Sequence, residues 1–463
     1  MTKKSETTKF TPKPQTTAQR LNSIIKSCRD IMRKDRGLSS DVDRLPQLTW
    51  LMFLKFLDDL EKTEELVQED KYQPLIPAPY RWREWAGEKT GLTGEELIAF
   101  VQNDETILPD GQRGMGLLTR LRSLRGTEEY DRRDVIANVF KDTYNRMVNG
   151  FLLKDVIDKV NEIHFDASEE VSILGDIYES ILQQMRDSAG DAGEFYTPRA
   201  VVRFMVTVIN PQLGEVIEDP ACGTGGFLVE SFKHLSPQVK TLKQRSQLQR
   251  QTLRGIEVKP LPYLLCQMNL LLHGLEAPEI KYENALRHPL KSLGASQQVD
   301  VILTNPPFGG EEERSIQGNF PADRGTSETA LLFLQLIQRK LKRAKTARAA
   351  VVVPNGTLFG DGVCARVKED LLKRFNLHTI VRLPNGVFAP YTSIPTNLLF
   401  FDGTQPTTEI WFYEMALPDG RKNYTKTKPM SFEEFADCLA WWKQREENAR
   451  AWKVSVQEVL RYD

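Results

Sequence analysis

The sequence predicts an α/β fold in which an all-α domain precedes an open sheet and a short helical tail follows it. In the first third of the chain, apolar residues recur at helical spacing, and we find no confident strand pattern there. From residue 215 onward, short apolar runs alternate with amphipathic segments, which is typical of a sheet whose strands are connected by helices. Residues 431–460 return to helical spacing, and these three observations together predict the order of the fold.

The domain boundaries are predicted from these changes of pattern. A chain of 463 residues is long enough for two or three domains. We predict a disordered leader at 1–16, an N-terminal α-helical domain at 17–165, an α/β domain at 166–420 and a helical tail at 421–463.

Each element is predicted from its own run of residues. In the first domain, helices are expected at 21–32, 46–60, 94–102, 116–124, 133–140, 152–163 and 169–185, and an aromatic loop at 77–85 is expected in the core. In the second domain, strands are expected at 215–218, 253–257, 279–283, 299–304, 349–354 and 379–383, with helices at 200–208, 226–234, 262–273, 329–344 and 366–375. Two later runs, 396–401 and 409–413, are expected as edge strands or as a hairpin.

Composition limits the possible functions. The chain has 62 basic and 63 acidic residues, so its net charge of −1 gives no overall attraction to a polyanion. Its five cysteines are widely spaced without a C-x-x-C pair, which argues against a disulfide framework and a structural zinc site, and no metal site is predicted. No apolar run is long enough to span a membrane, and a cytoplasmic protein without a membrane partner is expected.

The stretch 299–310 carries the most informative chemistry. Its apolar first half predicts a buried strand, which must stop at Asn305 because Pro306 and Pro307 cannot donate to a ladder. The Asn305 amide oxygen and the Pro306 carbonyl are two acceptors, and Phe308 adds a flat apolar face. Together these groups suit a planar heterocycle with an exocyclic amino group. The alternative is a strand-ending turn with a packed Phe308.

A glycine-rich loop follows the first strand of the sheet. It contains Asp219 and then Gly223, Thr224, Gly225 and Gly226, where backbone can approach a ligand at a helix N-terminus. The pattern departs from the dinucleotide fingerprint, and Asp219 would repel a pyrophosphate but suits the sulfonium and amino groups of S-adenosylmethionine. The next strand ends in Glu257, whose carboxylate can accept both ribose hydroxyls. The alternatives are a plain turn and an ordinary acidic strand end.

A third segment precedes the sheet. It runs Glu194, Phe195, Tyr196, Thr197, Pro198, Arg199. We predict that Thr197 caps a helix whose first residue is Pro198.

In their order along the chain, these segments resemble the amino-methylating DNA methyltransferases that carry N-P-P-F/Y, and more specifically the modification subunit of type I restriction–modification systems. The resemblance implies a Rossmann-like S-adenosylmethionine-dependent methyltransferase sheet. It assigns cofactor binding to residues 194–199, to the glycine-rich loop and to Asn284, which would face the adenine of the cofactor. It also places Phe388 and Tyr391 near the target base.

The resemblance implies a DNA adenine-N6 methyltransferase with S-adenosylmethionine as cofactor. Asn305 and the Pro306 carbonyl would orient the amine, and a base flipped out of the duplex would stack on Phe308. The partners implied are double-stranded DNA and a specificity subunit flanked by two copies of this chain. Because the chain is nearly neutral and has no recognisable DNA-reading motif, we also expect the N-terminal helices and the tail 441–452 to hold protein partners. The alternative is that the helices only complete the fold and a local basic patch binds the DNA. Whether a restriction (nuclease/translocase) subunit also joins is left open. The alternatives are a stand-alone amino-methyltransferase acting on RNA or on a protein glutamine, and a non-catalytic scaffold.

Overall fold

The computed structural model describes residues 16–68, 72–87, 91–127, 131–165, 168–188, 196–275, 278–418 and 420–461. Its first part is largely helical, as predicted. In chain order the elements are α1 Thr17–Met32, α2 Asp41–Gln68, α3 Trp82–Trp85, α4 Gly94–Gln102, β1 Glu105–Ile107, β2 Arg113–Met115, α5 Leu117–Arg122, α6 Arg132–Lys141, α7 Gly150–Asn161 and α8 Ser168–Ser188. The predicted leader falls outside the described residues except for Thr16, which begins α1 by accepting a hydrogen bond from the Gln19 backbone N–H.

The helical region contains one short hairpin that the sequence did not predict. Strands β1 and β2 pair antiparallel through three residues each. The turn between them includes Gly111, whose φ of 83° favours glycine. Both strands are mostly exposed, so they carry too little apolar alternation to be recognised.

The aromatic loop packs in the core of the helical region, as predicted. Tyr80, Trp82 and Trp85 are all buried. The Phe100 ring on α4 lies 6.2 Å from the Tyr80 ring and 5.6 Å from the Trp85 ring, measured between centroids.

The rest of the described chain is an α/β unit. Its elements are α9 Arg199–Ile209, β3 Ile217–Asp219, α10 Gly226–Leu235, α11 Leu242–Gln247, β4 Leu253–Glu257, α12 Pro260–Leu272, β5 Glu279–Tyr282, β6 Val301–Thr304, α13 Arg314–Gln317, α14 Thr329–Lys340, β7 Arg348–Pro354, α15 Asn355–Phe359, α16 Val363–Arg374, β8 Asn376–Arg382, β9 Thr396–Asp402, β10 Glu409–Glu414, α17 Ala436–Lys443, β11 Ala451–Ser455 and α18 Val456–Val459.

Among the described residues, nine strands form one sheet in the order β11-β10-β8-β9-β7-β6-β3-β4-β5. The pairs from β5 to β7 are parallel, and so is the pair of β10 with β8. The carboxyl ends of β3, β4, β6 and β7 therefore lie at one edge of the sheet, where ligands bind in folds of this class.

Strands form at both of the later runs, 396–401 and 409–413, but the prediction that they are edge strands or a hairpin was wrong. Strand β9 is central, because it lies between β7 and β8 and runs antiparallel to both, and β10 pairs with β8 instead of forming a hairpin with β9. Six of the seven residues of β9 are buried, which is the pattern of an interior strand and not of an edge. The tail was predicted to be helical, and it is so at α17 and α18, but between them it supplies β11, which pairs with β10 as the outermost strand.

The two faces of the sheet have different cores. On one face, the apolar residues join those of the N-terminal helices in a continuous core, since α2 and α8 pack against α12. On the other face, α14 and α16 cover a second core. Trp441 of the predicted partner-binding tail is buried in the first core, and Trp442 packs against Phe400 of β9 with ring centroids 4.7 Å apart. No helix within the described ranges is long and apolar enough to cross a membrane.

Candidate active site

The glycine-rich loop joins β3 to α10 at the carboxyl edge of the sheet. Gly223 and Gly225 have φ values of 53° and 80°, in the left-handed region that side chains avoid. Space is also short at Gly225, because a Cβ atom there would lie 2.8 Å from the Cys266 sulfur on α12. Glycine is therefore required at these positions for the loop to turn between the end of β3 and the start of α10.

Glu257 ends β4 and holds this loop in place. Its Oε2 accepts a hydrogen bond from the Gly223 N–H at 2.9 Å, and its Oε1 accepts one from the Lys259 N–H at 2.7 Å. A carboxylate offers about four acceptor positions, so some acceptor capacity remains for a ligand. Burial raises the pKa of the Glu257 carboxyl to about 7, although the backbone N–H bonds act in the opposite direction.

Asp219, at the end of β3, is buried beside Glu257. Its Oδ1 accepts hydrogen bonds from the Thr304 hydroxyl at 2.7 Å and from the Ala221 N–H at 3.1 Å. Burial raises the pKa of Asp219 to about 7, and the Glu257 charge adds to the effect. The sequence did not single out Thr304, because its role depends on β6 lying next to β3.

Asn305 follows β6 and lies in the same site. Its Nδ2 donates to the Thr197 hydroxyl at 3.1 Å, which fixes the orientation of the amide. The Asn305 Oδ1 is buried and accepts no hydrogen bond from the described residues. A buried acceptor without a donor costs free energy, which a ligand that donates to it would recover. Pro306 is buried, and Pro307 lines the cavity beside Asn305.

The segment before α9 contacts this site through Thr197. The prediction that Thr197 caps the helix was wrong: Pro198 occupies the cap position, and the Thr197 hydroxyl pairs with Asn305 instead. Tyr196 is buried at the cavity. Glu194 and Phe195, also predicted to bind cofactor, lie outside the described residues.

Arg199 lines the cavity, but its guanidinium is already engaged. It forms an ion pair with Glu179 of α8 and donates to the Gly226 carbonyl at 2.9 Å. Burial lowers the pKa of Arg199 to about 10, which leaves it charged at neutral pH. Its observed contacts position the start of α10 against α8.

These elements enclose a cavity of about 260 Å³. Predicted residues in its lining include Asn284, whose Oδ1 accepts from the Leu286 N–H at 2.9 Å and whose Nδ2 lies 3.5 Å from the Glu312 carboxylate. Five lining residues carry carboxylates: Asp219, Glu257, Glu283, Glu311 and Glu312. Several further lining residues were not predicted as site residues, among them Glu283, Glu312, Thr329 and Phe333, which no local pattern marks.

Phe308 and Phe388 meet beside this cavity. Their ring centroids are 6.0 Å apart and the ring planes are inclined at 68°, an edge-to-face contact. Phe388 is buried, whereas Phe308 and Tyr391 are half-buried. Phe388 thus supports the ring of Phe308, and part of Phe308 stays accessible.

Cys222 is part of the packing beneath the glycine-rich loop. Its sulfur lies 3.9 Å from that of Cys266, and both residues are buried. The contact with Cys266 and burial raise the pKa of the Cys222 thiol well above its ordinary value. Cys222 therefore stays a neutral thiol, whereas a nucleophilic cysteine acts as a thiolate.

Two family profiles together match most of the chain. The profile described as N-6 DNA Methylase matches residues 169–463, and the profile described as HsdM N-terminal domain matches residues 21–160.

Three individual proteins are similar over nearly the whole chain. The methylase subunit of the type I restriction enzyme EcoEI from Escherichia coli is 52% identical, over 95% of this chain and 88% of its own. A chain from Vibrio vulnificus YJ016, solved as a modification subunit assigned to the type I restriction enzymes, is 62% identical with a TM-score of 0.86. The match covers 97% of this chain and 94% of that one. A chain from a study of the complex assembly and conformational transition of the type I R-M system is 40% identical with a TM-score of 0.84. The match covers 97% of this chain and 90% of that one. This chain therefore belongs to the N-6 DNA methylase family, as a methylase subunit of the type I restriction enzymes whose reaction is methylation of adenine N6 in DNA.

Proposed function

We propose that methyl transfer to adenine N6 takes place at Asn305, with S-adenosylmethionine bound in the adjoining cavity. The observation that carries this proposal is the Asn305 Oδ1, a buried acceptor without a donor among the described residues. The exocyclic amine of adenine is a donor of the required kind. The Asn305 amide is already oriented by Thr197, so accepting the amine requires no rotation of the side chain.

The lining of the cavity fits the proposed cofactor. S-adenosylmethionine carries a sulfonium, an ammonium and a carboxylate, and five carboxylate side chains of the lining favour its cationic groups. The acceptor capacity that the backbone bonds leave on the Glu257 carboxylate suits a ribose hydroxyl. Asn284 is assigned to the adenine of the cofactor, and the glycine-rich loop supplies backbone at close approach.

The residues of the chain act by positioning and by electrostatics. The N6 lone pair of adenine is delocalised into the ring and is therefore a poor nucleophile. The Asn305 Oδ1 and the Pro306 carbonyl accept the two N6 hydrogens, which localises the lone pair and aims it away from the ring plane. The cofactor, when bound, would supply an electrophilic methyl group, and its sulfur would keep the electron pair of the broken S–CH3 bond as a neutral thioether. The proton displaced from N6 passes to solvent, and no covalent enzyme intermediate is formed.

Phe308 would stack on the target base after the base has left the duplex. A base inside a duplex cannot reach an acceptor buried at a sheet edge, so it must be flipped out. The partly accessible Phe308 ring, held by Phe388, offers a flat surface next to Asn305. Tyr391 is assigned to the same region.

Reading of the DNA sequence is assigned to a separate specificity subunit. The chain has no net positive charge, and the basic run 339–348 is largely engaged in internal contacts. The partners of this run are the Leu290 and Leu293 carbonyls for Arg339, Glu218 for Lys340, Asp300 for Lys342 and Glu215 for Arg348. These cations are therefore not free to neutralise phosphates. Two copies of the chain would flank one specificity subunit, and a restriction subunit would be a further partner.

A methylation assay with labelled cofactor tests this function. Plasmid DNA is incubated with the chain alone and with its specificity subunit, and the modified bases are mapped and identified chemically. We expect N6-methyladenine at one defined site, and only with the specificity subunit present. If the chain alone methylates a defined site, then no separate subunit is needed to recognise the DNA sequence. The loop 311–326 would then be the candidate for contacting the bases. Methyl groups on cytosine, RNA or protein instead would overturn the role proposed for Asn305.

A further inference from the structure

Phe359 is a large apolar side chain exposed to solvent at the active edge of the sheet. It ends α15 and has 70% of its surface exposed. Strand β7 is parallel to β6, with Val351 opposite Thr304, and it continues to Pro354 before α15 begins. The chain therefore carries Phe359 beyond the same edge of the sheet at which Asn305 lies.

Hydrogen bonds hold the α15 turn in a fixed position. The Lys368 ammonium donates to the Leu358 and Gly360 carbonyls on either side of Phe359. The Cys364 thiol donates to the Thr357 carbonyl at 3.0 Å. The exposed ring is thus carried on a constrained turn, and holding it in water costs free energy that binding could recover.

A continuous path of contacts joins this turn to the target-base residues. The Asn355 N–H donates to the Pro395 carbonyl at 3.0 Å, and the Asn355 Oδ1 accepts from the Asn397 side chain at 2.6 Å. Pro395 ends the segment 388–395, which begins with Phe388 against Phe308. Ile394 in the same segment is 47% exposed, so two exposed apolar side chains accompany the target-base residues. We call residues 305–308, 355–359 and 388–395 the target side.

We propose that Phe359 acts as an apolar wedge that enters the DNA duplex at the target adenine, with Ile394 extending the same apolar surface. This inference rests on the function proposed above. Flipping a base out of the stack breaks its pairing and leaves a gap between the neighbouring base pairs. Apolar side chains inserted into base steps stabilise unstacked DNA in other proteins, because the ring replaces part of the lost stacking. Phe359 is thus a positioning residue, since it would act on the duplex and not on the reacting amine.

The test compares two duplexes in the complex with the specificity subunit. In one duplex the target adenine is paired, and in the other it lies opposite an abasic site, where flipping costs less. We expect Phe359→Ala to lower the methylation rate by about 10–100-fold on the paired duplex and by less than about 3-fold on the abasic one. A fluorescent 2-aminopurine at the target position should brighten less with the variant. Leu242→Ala, which removes an apolar side chain 84% exposed on α11, is the control and should match wild type on both duplexes.

Three outcomes would overturn the wedge. They are equal losses on the two duplexes, wild-type rates on the paired duplex, or a loss of assembly with the specificity subunit, which would make Phe359 a protein contact. The proposed function itself is tested separately, by comparing the formation of N6-methyladenine by wild type and by Asn305→Ala. If wild type forms N6-methyladenine and Asn305→Ala does not, while Phe359→Ala equals wild type, then only the wedge is refuted.

Discussion

On one side of Asn305, polar side chains are buried and hydrogen-bonded, whereas on the other side large apolar side chains reach the surface. We call the first the cofactor side: residues 196–199, 219–226, 257–259 and 284. Its carboxylates, Asp219 and Glu257, bond to backbone N–H groups and to Thr304. The target side, by contrast, presents a half-buried Phe308 and the exposed Phe359 and Ile394.

The difference follows from what each side is proposed to meet. A small charged ligand is held by acceptors and donors whose positions are fixed before it arrives. A base arrives with a long duplex attached, so the groups that meet it must reach outward and offer flat or apolar surface. Asn305 stands between the two sides, with its Nδ2 bonded to Thr197 and its Oδ1 unpaired.

Substitution of Asn305 should abolish methyl transfer while leaving cofactor binding on the cofactor side largely intact. We expect Asn305→Ala to lower the methylation rate by about 10²–10³-fold or more, because it removes the acceptor that we propose orients the amine. Calorimetric titration should show nearly unchanged affinity for S-adenosylmethionine. Thr197→Val, which removes only the bond that orients the amide, should give a smaller loss of rate. A rate close to wild type for Asn305→Ala would refute the assignment.

Substitution of Phe308 tests the target side alone. Phe308→Ala should lower the rate by about 10–100-fold, since stacking of a base on an aromatic ring contributes about 1–3 kcal/mol. Phe308→Tyr keeps the ring and should stay within a few-fold of wild type. Single-turnover methylation of the paired duplex measures both variants. Equal activity of the two would show that stacking is not the role of this residue.

Substitution of Glu257 tests the cofactor side alone. Glu257→Ala should weaken S-adenosylmethionine binding by about 1.5–3 kcal/mol, the scale of hydrogen bonds to a charged group. The matched control is Glu279→Ala, because Glu279 lies at the start of neighbouring β5 and is paired with Arg254. Calorimetry should find that Glu279→Ala binds S-adenosylmethionine with the affinity of wild type. Unchanged affinity for Glu257→Ala would assign the ribose contact to another residue.

The smallest expected effect is a dependence of cofactor affinity on pH. Burial raises the pKa values of Asp219 and Glu257 to about 7, so both carboxyls gain charge as the pH rises from about 6 to 8. Affinity for the cationic cofactor should rise over this window by up to about tenfold for each carboxyl that titrates. Titrations at constant ionic strength should show a flatter profile for Asp219→Asn. A wild-type affinity that is independent of pH would contradict the prediction.

The same two carboxyls should make the chain without cofactor less stable at higher pH. Their pKa values in the folded chain lie above the ordinary values of 3.8 and 4.5, so the folded state keeps protons that the unfolded state releases. This contribution to stability is complete below about pH 4 and is lost as the pH rises through about 7. Thermal unfolding of wild type and Asp219→Asn should diverge over that range.

Much of the fold could be predicted because each element carries its own pattern. Strand β4 was predicted at the residues where it forms, and helix α10 within one residue. The end of β6 before Pro306 follows from the missing proline N–H alone. The hairpin β1–β2 escaped prediction because its residues are mostly exposed, and β9 was misplaced because burial on two faces does not reveal which strands are its neighbours.

The sequence alone determined the chemical groups and their order along the chain, including the glycines after β3, the acid at the end of β4 and the amide after the end of β6. Only the tertiary structure decided which of these groups meet. Asn305 and Thr197 are 108 residues apart, and Thr304 and Asp219 are 85 apart. They come together because β3 lies between β4 and β6 in the sheet and because α9 precedes β3. Local periodicity records which face of an element is buried, but the partners of a buried polar group depend on the order of the strands. For that reason the unpaired Asn305 oxygen and the exposed Phe359 ring could be recognised only in the folded chain.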